Sequence, residues 1–251
     1  MKRILLVNMK LQSCPTVATF SYFYRGVKIF SLIAFVLAAL CTTAQSTTTV
    51  QKSDYKKVVT ERVSKIVNTL SLTDSVKYKE VVSIISDQYF SLNNVQEQNE
   101  LAITDIKKQL TDKEKQAEGV KTQEEKKSAE LMQLHTGFIA HLKDNLTDGQ
   151  VEQVKDGMTY RILPITYAAY EDMLPGLTAE QKTKIYGWLT EARELAMDAE
   201  SSDKKHAVFG KYKGKINNYL SGMGYDMKKE GEAWQKRIKE RQEKKKEGST
   251  K

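Results

Sequence analysis

Apolar residues recur three and four apart in stripe after stripe from Tyr55 to Met223. That spacing lines them up on one side of a 3.6-residue turn and leaves the chain little choice but helices. Tyr55, Val58, Val59, Val63, Ile66, Val67 and Leu70 form the first stripe, and Tyr78, Val81, Val82, Ile85, Tyr89 and Leu92 the second. With more polar content the pattern continues through Val95, Ile106 and Leu110, and a clear apolar face returns at Leu131, Leu134, His135, Phe138, Ile139 and Leu142. The intervening 111–130 is rich in Lys and Glu and contains Gly119, so the spacing predicts two long antiparallel helices joined by a charged, solvated tip.

The second half is richer in aromatic residues. Ile185, Trp188, Leu189, Ala192, Leu195, Ala196 and Ala199 share one helix face, and Phe209, Tyr212, Ile216, Tyr219, Leu220 and Met223 another. Only three prolines occur, at 15, 164 and 175, and no alternating run is long enough for a sheet strand. Pro164 and clustered aromatics make 159–170 the expected place for irregular backbone. The expected fold is therefore all-α, a long antiparallel helical hairpin packed with a C-terminal helical bundle.

Residues 1–44 read as a signal peptide. Lys2, Arg3, Lys10, Arg25 and Lys28 make a basic, acid-free leader, Ile29–Leu40 is an uncharged apolar run, and Thr42, Thr43 and Ala44 are small residues suited to cleavage before Gln45. A spanning helix needs about 20 apolar residues, so the run is short for an anchor, and no transmembrane segment is expected after cleavage. Periplasmic or secreted release is expected. An uncleaved anchor, a start at Met9 and lipidation at Cys41 stay open, the last ranking behind simple cleavage because Leu40 precedes the cysteine.

Cleavage changes the bulk charge. The chain holds 40 Lys and Arg against 32 Asp and Glu; without the five leader cations the remainder carries 35 against 32, a net +3. That near-neutral balance weakens any inference of nucleic-acid binding from the overall charge, and no nucleic-acid partner is expected. Cys14 and Cys41 both lie in the leader, so the 207 remaining residues have neither disulfide nor thiol chemistry. They divide into a helical domain, 45–226, with a hairpin over 54–145 and an aromatic-rich half over 146–226. A charged tail follows, 227–251, helical or disordered, with 10 basic and 5 acidic residues.

Leu-Thr-Asp recurs at 72–74, 110–112 and 146–148, and Leu-Thr-Ala at 177–179. In Leu146–Gln150 and Leu177–Gln181 the threonine can cap a helix while the glutamine three residues on bonds back, and Leu110–Glu114 has the acidic equivalent. Helix starts near 74, 147 and 178 follow. The same Leu-Thr-x-x-Gln stretches resemble the motif of the small, all-helical periplasmic Spy/CpxP chaperones.

No constellation of catalytic or metal-binding residues stands out. His135 and His141 are six apart, which on a helix separates them by more than a shared face allows, and His206 is remote, so neither metal nor cofactor is expected. His135, inside an apolar stripe, reads as a hydrogen-bonded boundary residue. Glu171 with Asp172, or Glu191 with Glu194, fall short of a glycosidase pair, because two carboxylates facing one cleft are needed. Ser201 and Ser202 near His206 lack the glycines of a nucleophile elbow. Gly210 and Gly214 lie four apart in a helical run, where close helix packing is the expected reason for them. Lys211 and Lys215 would share a face beside Tyr212, Asn217, Asn218 and Tyr219, a set suited to carbohydrate, acidic sugars above all.

Arg161–Leu163, Tyr170–Pro175, Leu177–Ser201 and His206–Asp226 resemble a family of uncharacterised exported bacterial proteins, a domain of unknown function found among polysaccharide-degrading bacteria. Sugar binding is what that resemblance implies. The resulting expectation is an exported, non-enzymatic helical protein that binds carbohydrate, acidic oligosaccharide among the candidates, or serves polysaccharide use. Its candidate ligand residues are Tyr160, Arg161, Tyr167, Trp188, Lys211, Tyr212, Lys215 and Asn218. A Spy/CpxP-like holdase and a glycan-active enzyme are the alternatives, and the oligomeric state is left open.

Overall fold

The computed structural model describes residues 54–248, and among them lie eight helices and no strand. They are α1 (54–68), α2 (Ser75–Gln109), α3 (Lys113–Asn145), α4 (Asp148–Met158), α5 (Ile162–Met173), α6 (Ala179–Met197), α7 (Ser202–Gly222) and α8 (Met227–Gly248). The fold is all-α, as the periodicity predicts. The expected signal peptide over 1–44, the cleavage site expected after it and Cys41 lie outside the described residues, as do 249–251.

The long hairpin is α2 against α3, and the stripe over 55–70 belongs to a separate helix, α1. Its turn is also shorter than the charged composition suggests. Only 110–112 leave the helix, and the Lys- and Glu-rich stretch from 113 onward is the first half of α3. Asp112 accepts hydrogen bonds from the amides of Glu114 and Lys115, which starts α3 at once. Farther along, buried Asn99 donates to Glu124 at 2.9 Å and accepts from Gln123 at 3.2 Å, so polar side chains pin the register where apolar ones are scarce.

The repeated start signal divides into two kinds. At Thr147 and Thr178 the capping box forms in full, with Gln150 and Gln181 bonding back to the cap amides at 3.1 and 2.9 Å. At 73–74 and 111–112 the cap is the next residue, Asp74 or Asp112, because a carboxylate is the stronger acceptor for first-turn amides. Gln150 also donates to the Leu70 carbonyl at 3.0 Å, tying the start of α4 to the end of α1.

Irregular backbone between α4 and α5 is confined to 159–161. Tyr160 and Arg161 both take φ of +57°, and the Arg161 amide reaches back to the Asp156 carbonyl at 2.7 Å. The aromatic run that follows is helix α5, with Pro164 in its first turn, where a missing amide hydrogen costs nothing. Leu163, Tyr170, Leu174, Ile185, Leu189, Ala192, Phe209, Ile216 and Leu220 form one buried core across α5, α6 and α7. Val63, Ile66, Val81, Ile85, Phe138, Leu142 and Val154 are buried on α1 to α4.

The charged C-terminal segment is a helix docked on α5 through one carboxylate. Asp172 accepts from the Trp234 indole at 2.7 Å and from Arg241 at 2.6 and 3.0 Å, while Arg237 donates to the Asp172 and Met173 carbonyls at the end of α5. Hydrogen bonds from Arg241, then Trp234, hold the Asp172 carboxyl down at about 2. Replacing Asp172 with Ala is expected to speed amide exchange along α8 while core protection in α5–α7 stays unchanged; hydrogen exchange reads both.

The glycines part company. A Cβ on Gly157 would lie 2.9 Å from Cγ1 of buried Ile66, whose β-branched side chain cannot swing aside. Gly210 and Gly214 face open space, so the close packing expected of them is absent. Gly157→Ala should therefore destabilise by about 1–3 kcal/mol, whereas Gly210→Ala and Gly214→Ala should each stabilise by about 0.5–1 kcal/mol. Urea unfolding separates the two signs.

Candidate functional site

The aromatic residues of α6 and α7 meet on one face. Trp188 and Tyr219 pack edge to face, with ring centres 5.2 Å apart, each half-buried against the core. Lys215 places its ammonium 4.8 Å from the Trp188 ring and 5.4 Å from the Tyr212 ring. Lys184, one turn before Trp188, lies 4.6 Å from the Tyr219 ring and 5.5 Å from Trp188. Two exposed lysines thus cover rings whose other edges are buried, contacts worth about 0.5–1 kcal/mol each at such sites.

A carboxylate already occupies this face. Glu191 lies 3.9 Å from the Lys215 ammonium and hydrogen-bonds Tyr212. Burial, then that bond and the nearby negative charge, pushes the Tyr212 phenol up to about 12, so it stays a neutral donor. The chemistry on offer is ring stacking, two cations and a phenol donor.

Of the eight residues expected to bind ligand, Trp188, Tyr212 and Lys215 come together here. Lys211 lies one turn earlier on α7, in a groove beside α2 and α3. Tyr167 packs edge to face on Tyr186, at 5.2 Å. Tyr160 stacks on His206 at 5.8 Å, with Arg62 over its ring. Arg161 and Asn218 are exposed and take no part in these ring contacts. Lys184 and Glu191 join the face, and sequence reasoning missed them as ligand groups. Their positions four residues before and three residues after Trp188 were the available signal.

A second concentration of charge lies where α3, α4 and α6 meet. Arg193, 2% exposed, pairs with Glu152, with Asp156 at 2.8 Å and with Glu194 at 3.3 Å. Lys155 reaches Glu194 at 3.1 Å. His135 sets its two ring nitrogens against two carboxylates, Nδ1 to Asp198 at 2.9 Å and Nε2 to Glu194 at 3.3 Å. Those carboxylates lie on opposite edges of the ring and do not converge on one point. Among the described residues no group of His, Cys, Asp and Glu is arranged to hold a metal ion. Lys205, also 2% exposed, donates to the Ala196 and Met197 carbonyls at 2.7 and 2.9 Å, closing the C-terminus of α6. Burial lowers its ammonium to about 8, despite the opposing charge of Asp198.

Hydrogen bonds to Asp198 and Glu194 raise the His135 imidazole to about 9, against 6.5 for a free histidine, so at neutral pH it is an ion-paired cation and no general base. Because the folded value is the higher, this stabilisation is fully present below about pH 6.5 and is lost as pH rises through 9. A shift of that size is about 3 kcal/mol at full strength, and solvent screening of a partly exposed side chain brings it to about 2. The stability difference between the native chain and His135→Gln should shrink by that amount between pH 6 and pH 9.5 in urea titrations. A constant difference would show that the pairing contributes nothing.

No helix among the described residues is long and apolar enough to cross a membrane. The sequence matches no curated protein. A family model described as protein of unknown function (DUF3826) matches residues 56–240, and the chain belongs to that family.

Proposed function

We propose that this protein is an exported, non-enzymatic binding protein for carbohydrate, acidic oligosaccharides foremost, in the service of polysaccharide use. The α6–α7 face carries the reading: Trp188 and Tyr219 supply ring surface, Lys184 and Lys215 stand over those rings, and Glu191 holds the place of a ligand carboxylate. A pyranose ring stacks on an aromatic face through its C–H groups, and a uronate carboxylate in place of Glu191 would find Lys215 and the Tyr212 phenol. Export rests on the basic leader, apolar run and small residues of 1–44, with release after Ala44 ahead of lipidation at Cys41.

Other residues weigh against the alternatives. The Leu-Thr-x-x-Gln stretches serve as capping boxes, which explains them without a holdase role. Glu171 is paired to Lys182 at 3.1 Å and Asp172 to Arg241, so neither carboxylate is poised for glycoside cleavage.

Calorimetric titration with neutral and acidic oligosaccharides tests the proposal. Binding is expected to be strongest for uronate-containing ligands, to fall at least tenfold with Trp188→Ala, and to lose its preference for acid with Lys215→Glu. Absence of binding to every oligosaccharide would sink it.

A further inference from the structure

Between the α2–α3 hairpin and the α6–α7 pair runs a groove of about 620 Å³. Its apolar lining comes from both sides: Leu92, Val95, Leu131 and Met132 from the hairpin, Leu195 and Val208 from the pair. Met132 and Leu195 are 67% and 54% exposed, large apolar side chains left open on two sides of one groove. The volume is that of a site for one small molecule and too small for a folded partner.

Charge narrows the class of occupant. At one end of the groove stand His135, Glu194 and Asp198, already neutralised within a larger set. Four cations (His135, Lys155, Arg193, Lys205) face four anions (Glu152, Asp156, Glu194, Asp198). Around the rim, Lys127 is paired with Glu124 at 3.4 Å and Lys204 with Glu200 at 3.7 Å. Lys211 lines the same groove and among the described residues has no carboxylate partner. The balance is one uncompensated positive charge at the edge of an apolar channel.

Hydrogen-bonding capacity is largely spent. Gln96 donates to Glu100 and the Thr136 hydroxyl to the Met132 carbonyl, and among the buried side-chain atoms of the lining only Asp198 Oδ1 lacks a hydrogen-bond partner. A sugar or an extended peptide would bring many polar groups with few partners to meet them. A hydrocarbon chain brings none.

We propose that this groove binds a single-chain anionic amphiphile of the fatty-acid class, its chain between Leu131 and Leu195 and its carboxylate at Lys211. This site is separate from the aromatic face assigned to carbohydrate and stands or falls independently of it.

The test is calorimetric titration of the full chain, below the micellar range, with dodecanoate, dodecyltrimethylammonium and dodecyl maltoside. Saturable one-to-one binding of dodecanoate is expected, at least tenfold tighter than either of the others. Lys211→Glu should weaken it at least tenfold. Leu195→Glu and Met132→Glu, both at exposed positions, should each abolish it while the circular dichroism spectrum and melting temperature hold. Equal affinity for the cationic and anionic chains, or dodecanoate binding indifferent to all three substitutions, would overturn the proposal. So would saturable binding of an uncharged apolar decapeptide with none of dodecanoate.

Discussion

Arg193 is almost wholly buried, and a guanidinium cannot shed its proton to escape the cost of leaving water. Everything near it is arranged to answer that charge. Glu152 and Asp156 come from α4, Glu194 from the adjacent position of α6, and Lys155 and His135 then answer Glu194 in turn. The result is a closed set of opposite charges that fastens α3, α4 and α6 at one place. Desolvating each ion offsets much of the attraction, so the net stabilisation is smaller than the number of ion pairs suggests. The set's value is geometric, since residues from α3, α4 and α6 all contribute to it.

That fastening explains why the two sides of the molecule differ. Near His135 the hairpin and the α6–α7 pair are held together by ion pairs, and beside it they leave an apolar groove instead of an interdigitated core. On α6 and α7 themselves, the inward faces bury Ile185, Leu189, Ile216 and Leu220, which brings Trp188, Tyr212 and Tyr219 to the margin. There, half-buried rings are available to lysines and to ligand. One helix pair thus presents an aromatic, cationic face at Lys215 and an apolar channel at Lys211, one turn apart.

Sequence reasoning succeeded where partners are neighbours. Thr147 and Gln150, or Thr178 and Gln181, are three residues apart, and their reciprocal bonds follow from that distance alone. The stripes through Val63, Ile85, Leu142 and Leu189 foretold buried faces because helical geometry aligns them whatever they pack against. It erred over 111–130, where composition alone suggested a tip. The turn is a three-residue affair set by Asp112, and the charged stretch continues as helix, pinned at its middle by Asn99. It erred again on Gly210 and Gly214, since nothing in a glycine reveals whether a neighbouring helix approaches it. Gly157, which the stripes gave no reason to notice, is the one pressed against Ile66.

Local sequence was enough for the helical class, for the helix starts near 74, 147 and 178 and for many of the buried positions, though Val58, Leu195 and Met223 in the same stripes are exposed, because those outcomes depend on contacts within about one turn. Both cysteines fall in the basic, apolar stretch 1–44. Which charges and rings meet was set by the packing of helices far apart in sequence. His135 and Asp198 are 63 residues apart, Trp234 and Asp172 are 62 apart, and Lys215 reaches Trp188 from another helix. Such pairings depend on how helices rotate and cross, which is settled by packing across the whole core. Periodicity along one chain segment carries no record of the partner it will face.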